Sequence, residues 1–116
     1  MDDPARWFAV RTVIRMSQTG PPTTAPLGPG GSDFEERITL WQAADAATAI
    51  ARAEADAVGY ARIVDGEYVG FSQSYELADA AGDGAEVFSL IRRSELSTDG
   101  YLDRHFDTGR EFQEPT

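Results

Sequence analysis

Apolar and polar side chains alternate with period two along "WFAVRTVIRM", residues 7–16. Phe8, Val10, Thr12, Ile14 and Met16 fall on one side, and Trp7, Ala9, Arg11, Val13 and Arg15 on the other. Successive side chains of an extended chain point to opposite faces, so this pattern predicts a first strand. Residues 17–33, "SQTGPPTTAPLGPGGSD", have no period and carry four prolines and four glycines. Neither helix nor sheet propagates through such a run, so an exposed, flexible connection is expected there. Its length is tolerable because closure entropy grows only logarithmically.

The period of two returns in "FEERITLWQA", residues 34–43, with Ile38 and Leu40 on one side and Arg37, Thr39 and Trp41 on the other. It then changes to helical spacing within two residues. Asp45 is placed to cap the free amides of a helix beginning at Ala46. The expected buried stripe is Ala46, Ile50, Ala53, Ala57 and Tyr60 or Ala61, with Arg52, Glu54 and Asp56 outside. Gly59 and the turn at Asp65 and Gly66 are expected to end it.

A third strand is predicted over residues 67–77, "EYVGFSQSYEL", with Val69, Phe71, Tyr75 and Leu77 inward and Tyr68, Ser72, Ser74 and Glu76 outward. A fourth is predicted over residues 86–93, "EVFSLIRR", apolar on both sides and so central or covered twice. In the tail, Tyr101, Leu102, His105 and Phe106 recur at helical spacing behind a cap at Thr98 or Asp99, and residues 110–116 should fray. The expected architecture is α+β: a small four-stranded antiparallel sheet, one principal helix on one face and a short C-terminal helix, in the order β-β-α-β-β-α.

A chain of 116 residues fits a single domain, 1–116. Twenty Asp and Glu face ten Arg and no Lys, a formal net charge of −10. That surface repels phosphate backbones and argues against nucleic-acid binding, while a basic protein could be attracted to it. The absence of cysteine excludes disulfides and thiolate chemistry. The acidic start "MDDPARWFAV" lacks the basic region of a signal peptide, and no apolar run reaches the ~20 residues that span a bilayer. A cytoplasmic protein with no membrane association is expected.

The strings "WFAVRTVIR", "EERITLW" running into an Ala-rich helix, "YVGFSQSYEL" and "EVFSLIR" resemble the pattern of the domain-of-unknown-function family 4288, over Trp7 to Ile91. The acidic pair Glu35 and Glu36 before Arg37 is the most specific part of the likeness. The proline-rich insertion departs from the shorter first connection of such proteins. The resemblance implies the fold and no activity, so it assigns no catalytic residue.

Little else in the sequence points to chemistry. His105 has Asp103 and Asp107 nearby, but a lone histidine without a second His or Cys is a poor metal site. Ser72, Ser74 and Ser89 lack a nucleophile-elbow context, and "GPGG" lacks the lysine of a phosphate loop. Catalysis is therefore disfavoured, and no metal or cofactor is expected.

One helix covers one face of a sheet. If that face bears Val10, Ile14, Ile38, Leu40, Phe71 and Tyr75, the other collects Trp7, Val13, Trp41, Tyr68, Phe88 and Leu90 among Arg11, Arg15, Arg37, Arg92, Glu76 and Glu86. Monomers seldom leave such a patch open. A second copy packed face to face, the C-terminal segment folded back, or another partner or ligand would cover it. Trp7, Arg11, Arg37, Trp41, Glu86, Phe88 and Arg92 are the expected contact residues. Two functions follow. One is a non-catalytic interaction module, homodimeric through the sheet face and of immunity or antitoxin type toward a basic partner. The alternative is a small-molecule binding or processing domain with a pocket at the sheet, anchored by Arg11, Arg37, Trp41 and Glu86.

Overall fold

The computed structural model describes residues 6–16, 32–106, 108 and 109. Most of the proline-rich connection, Asp107 and the tail 110–116 lie outside the described residues. Three strands form: β1 (Arg6–Arg15), β2 (Phe34–Ala43) and β3 (Glu67–Glu76). They make an antiparallel sheet in the order β2-β1-β3. Helix α1 (Ala46–Ile63) lies between β2 and β3 in the chain, and helix α2 (Thr98–His105) follows. The class is α+β, with two helices and a three-stranded antiparallel sheet. Among the described residues no helix is long and apolar enough to cross a membrane.

The helix start follows from Asp45, whose extended backbone leaves its carboxylate free to accept the Thr48 amide at 2.7 Å. The helix ends at Val64, not at Gly59, which sits exposed within it. Beyond the cap, Asp65 takes a left-handed backbone (φ 56°). The Asp65 and Gly66 amides turn back to the Arg62 and Ala61 carbonyls, closing a Schellman motif. Gly66 is required by space, because a Cβ there would stand 2.8 Å from the Arg15 carbonyl oxygen. Gly66→Ala is therefore expected to destabilise by more than about 1 kcal/mol. Asp65→Gly should stabilise by about 0.5–1 kcal/mol, both read from urea unfolding.

The buried stripe of α1 is Ala49, Ala53, Ala57 and Ala61, one methyl every turn. It differs from the expected stripe at Ala46, Ile50 and Tyr60, which are only half-buried. So smooth a stripe approaches the sheet closely and leaves volume to be filled from the sheet side. Phe8 and Val10 pack on Ala49 and Ala53, with Trp41 against them; Ile14 and Met16 pack on Ala57 and Ala61, with Tyr60 and Tyr68 against them.

The register sets the faces. Phe8 lies opposite Trp41 and Glu76, Val10 opposite Thr39 and Ser74, Thr12 opposite Arg37 and Ser72, and Ile14 opposite Glu35 and Tyr68. Directly opposed residues share a face, so Trp41, Arg37 and Tyr68 lie under α1. Ile38, Leu40, Phe71 and Tyr75 lie on the other face. β1 is oriented as its pattern predicts, whereas β2 and β3 are turned over. The reason is volume: an alanine stripe needs large partners, and an indole, a phenol and an arginine reach where aliphatic chains would not. Arg37 lies 3.6 Å over the Tyr60 ring, and Arg52 lies 5.0 Å over Trp41. These pairs tie β2 to α1.

The fourth strand expected over residues 86–93 is not formed; this stretch has no regular structure. By its contacts the chain divides into two compact units, one holding the sheet and α1 and running to Ser89, the other beginning at Leu90 and holding α2. The expected strand straddles that division. In the second unit Ser97, one residue before the expected cap, accepts the Gly100 amide and starts α2.

Candidate functional site

The candidate site is the sheet face opposite α1. Its β1–β3 half is clasped by the chain that follows β3. The Tyr75 hydroxyl donates to Glu86 Oε2 at 2.9 Å, and the Phe88 ring stands 6.0 Å from that of Tyr75. Arg11 lies 5.1 Å from the Phe88 ring centre, donates to Gln73 Oε1 at 2.7 Å and approaches Glu36 Oε1 at 3.4 Å. The Arg11 Nε is buried with no hydrogen-bond partner. The Glu86 carboxylate, by accepting a hydrogen bond from the neutral Tyr75 hydroxyl, raises the phenol's pKa above its usual value. These contacts hold residues 86–88 over the face by side chains, with no ladder.

The β2 half stays open. Phe34, Ile38 and Leu40 are 58%, 46% and 42% exposed, and Phe71 on β3 is 48% exposed. The residues of β2 alternate regularly between exposed and half-buried over its whole length.

Of the residues expected to form one contact surface, the structure brings Arg11, Glu86 and Phe88 together, with half-buried Trp7 on the same face. Arg37 and Trp41 are on the α1 side, where Trp41 Nε1 donates to Thr39 Oγ1 at 2.7 Å. Arg92 lies in the second unit, 3.4 Å from the Tyr101 hydroxyl. The proposed anchor set Arg11, Arg37, Trp41 and Glu86 is thus split between the two sides of the sheet. Ile38, Leu40, Phe34 and Phe71 are the surface residues that sequence reasoning placed elsewhere or passed over. The signal that could have found them is the all-alanine stripe, which calls for Trp41 rather than Leu40.

Chemistry is sparse. Among the described residues no three His, Asp or Glu side chains gather as metal ligands. The His105 ring packs at 4.5 Å on that of Tyr101. Among the described residues, a shallow depression of about 260 Å³ in the first unit is lined by Val58, Ala61 and Tyr68 among others, and one of about 300 Å³ lies in the second.

Two exposed carboxylates link stability to pH. Hydrogen bonds from Arg6, at 2.8 and 2.7 Å, hold the Glu76 carboxyl below its ordinary 4.5. Those from Thr48, side chain and then amide, hold Asp45 below its ordinary 3.8. A depressed folded-state pKa contributes stability that is present above the unfolded value and lost as pH falls through the folded one. The melting temperature should therefore decline as pH falls below about 4.5, and Glu76→Gln should flatten that decline, as checked by melts across the acid range.

The fold and this face define a small α+β protein with one uncovered, aliphatic sheet margin. Comparison with known proteins finds no matching family model, no matching curated protein and no matching solved structure.

Proposed function

We propose that this protein is a non-catalytic interaction module that associates with a second copy through the sheet face opposite α1, on its β2 side. The observation that carries the reading is the exposure of Ile38 and Leu40, 46% and 42%, beside Phe34 at 58%, on a regular strand at the sheet margin. Apolar area stabilises by ~25 cal/mol per Å² when it leaves water, so a row of such side chains favours association. Monomers seldom expose contiguous apolar patches. The formal charge of −10 supports a basic protein as a further, immunity-type partner, since charge complementarity speeds capture.

The test is the mass of the protein in solution over a dilution series. A two-chain mass that falls on dilution supports the reading; a one-chain mass at every concentration overturns it. Small-molecule binding is favoured by one feature, the buried and unpartnered Arg11 Nε, which an acceptor on a ligand would satisfy. A metabolite that raised the melting temperature of wild type and not of Arg11→Gln would select that second reading.

A further inference from the structure

β2 and β3 border the sheet, and they differ as edges. On β3 the pairing register shifts between Thr12 and Ile14, and Gly70 there takes φ 86°. Such a bulge bends a strand and blunts its outer edge. β2 pairs with β1 without interruption over ten residues, and it contains neither proline nor lysine, the residues that usually guard an edge.

Backbone direction on β2 follows from two bonds that flank the ladders. The Leu77 amide donates to the Trp7 carbonyl, so odd-numbered residues of β1 face β3. The Met16 amide donates to the Asp33 carbonyl, so even-numbered residues of β1 face β2 and bond its odd-numbered residues. The amides and carbonyls of Glu36, Ile38, Leu40 and Gln42 therefore point away from the sheet. Of these carbonyls, that of Gln42 accepts from Arg52 at 2.9 Å.

The sequence around Thr39 is complementary to itself when reversed. Antiparallel pairing of two β2 strands about a two-fold axis normal to the sheet must set even opposite even, so the axis passes through a residue. Centring on Arg37 opposes two guanidinium groups, and centring on Ile38 sets Glu36 against Leu40. Centring on Leu40 sets Ile38 against Gln42. Centring on Glu36 opposes two carboxylates, whereas centring on Thr39 opposes no like charges and sets Ile38 opposite Leu40 on the open face, Glu36 opposite Gln42, and Arg37 opposite Trp41 on the α1 side. In that register the Ile38–Leu40 pairs are the hydrogen-bonded ones, so the free backbone groups and the exposed aliphatic side chains are satisfied by one contact.

We propose that the free edge of β2 is completed by β2 of a second copy, antiparallel and centred on Thr39, giving a continuous six-stranded sheet. The inference rests on the self-association reading and deepens it by naming the edge and register. This pairing sets the two open faces side by side, joined along their β2 margins.

The chain has no cysteine, so single substitutions give unique reporters. In this register residue 38 of one copy and residue 40 of the other lie at a Cα separation of about 5.5 Å, within disulfide range. Two residues 38 are offset by two positions, roughly 8 Å apart, and two residues 40 likewise, which is beyond that range. Ile38→Cys and Leu40→Cys, one carrying a size tag, are mixed, oxidised and run on a non-reducing gel. The expected result is a mixed disulfide forming at least about tenfold faster than either homodisulfide. A wild type of two-chain mass whose variants give no preferred mixed disulfide overturns the edge register and leaves the self-association reading standing. A one-chain mass for wild type overturns both.

Discussion

Phe8→Ala should lower the stability of the sheet–helix unit by about 3–5 kcal/mol, the usual cost of removing a buried phenylalanine ring. At roughly 4–8 °C per kcal/mol for a unit of this size, the melting transition should fall by more than about 12 °C. Phe8 is 1% exposed and is among the largest fully buried side chains of the chain. Its neighbours across the layer are Ala49 and Ala53, whose single methyl groups cannot swing into the vacated space. Trp41 is held by its bond to Thr39 and by Arg52 above its ring, so it too is prevented from collapsing inward. A thermal melt followed by far-ultraviolet circular dichroism checks this, and a drop of only a few degrees would show that α1 can settle onto the smaller residue.

The same neighbourhood shows why the chain is legible in some places and misleading in others. β1, β2 and α1 declare themselves, because period two passes to period 3.6 across a single capping aspartate and each signal is uninterrupted. β3 is equally clear as an element. Orientation is harder. On β2 both registers carry apolar side chains, Ile38 and Leu40 in one and Trp41 in the other, and pattern alone cannot choose between them. The choice is made by the partner layer, whose stripe of Ala49, Ala53, Ala57 and Ala61 admits the indole of Trp41 and the stem of Arg37. Residues 86–93 mislead for another reason. Alternating apolar residues there satisfy a strand template, yet Phe88 and Glu86 find ring and hydroxyl partners on Tyr75, and no ladder is formed. The candidate site was legible as an uncovered sheet face and not as a set of residues, since its membership depends on the orientation of β2.

Leu40→Glu should leave the single chain close to wild-type stability while raising the dissociation constant of the dimer by about tenfold or more. Leu40 is 42% exposed, and substitutions at such positions usually change folding stability by within about 0.5 kcal/mol. In the proposed pairing the new carboxylate would face Ile38 of the second copy, with Glu36 two positions along the same strand. Replacing an aliphatic cross-strand pair by a charge beside a like charge costs up to about 1 kcal/mol, the two-fold axis makes that change twice, and each 1.4 kcal/mol is about tenfold in affinity. The contrast with Phe8→Ala separates the two layers of the account, one substitution acting on the fold and the other on the assembly.

Charge alone must not be mistaken for contact, and Val58 supplies the comparison. It is 40% exposed on α1, away from the proposed surface, so Val58→Glu adds the same charge elsewhere. Light scattering on wild type, Leu40→Glu and Val58→Glu at one concentration is the most direct test of association through the β2 side of the sheet. The expected masses are two chains, one chain and two chains respectively. Equal masses for wild type and Leu40→Glu, or loss of the dimer in Val58→Glu, would contradict association through that margin.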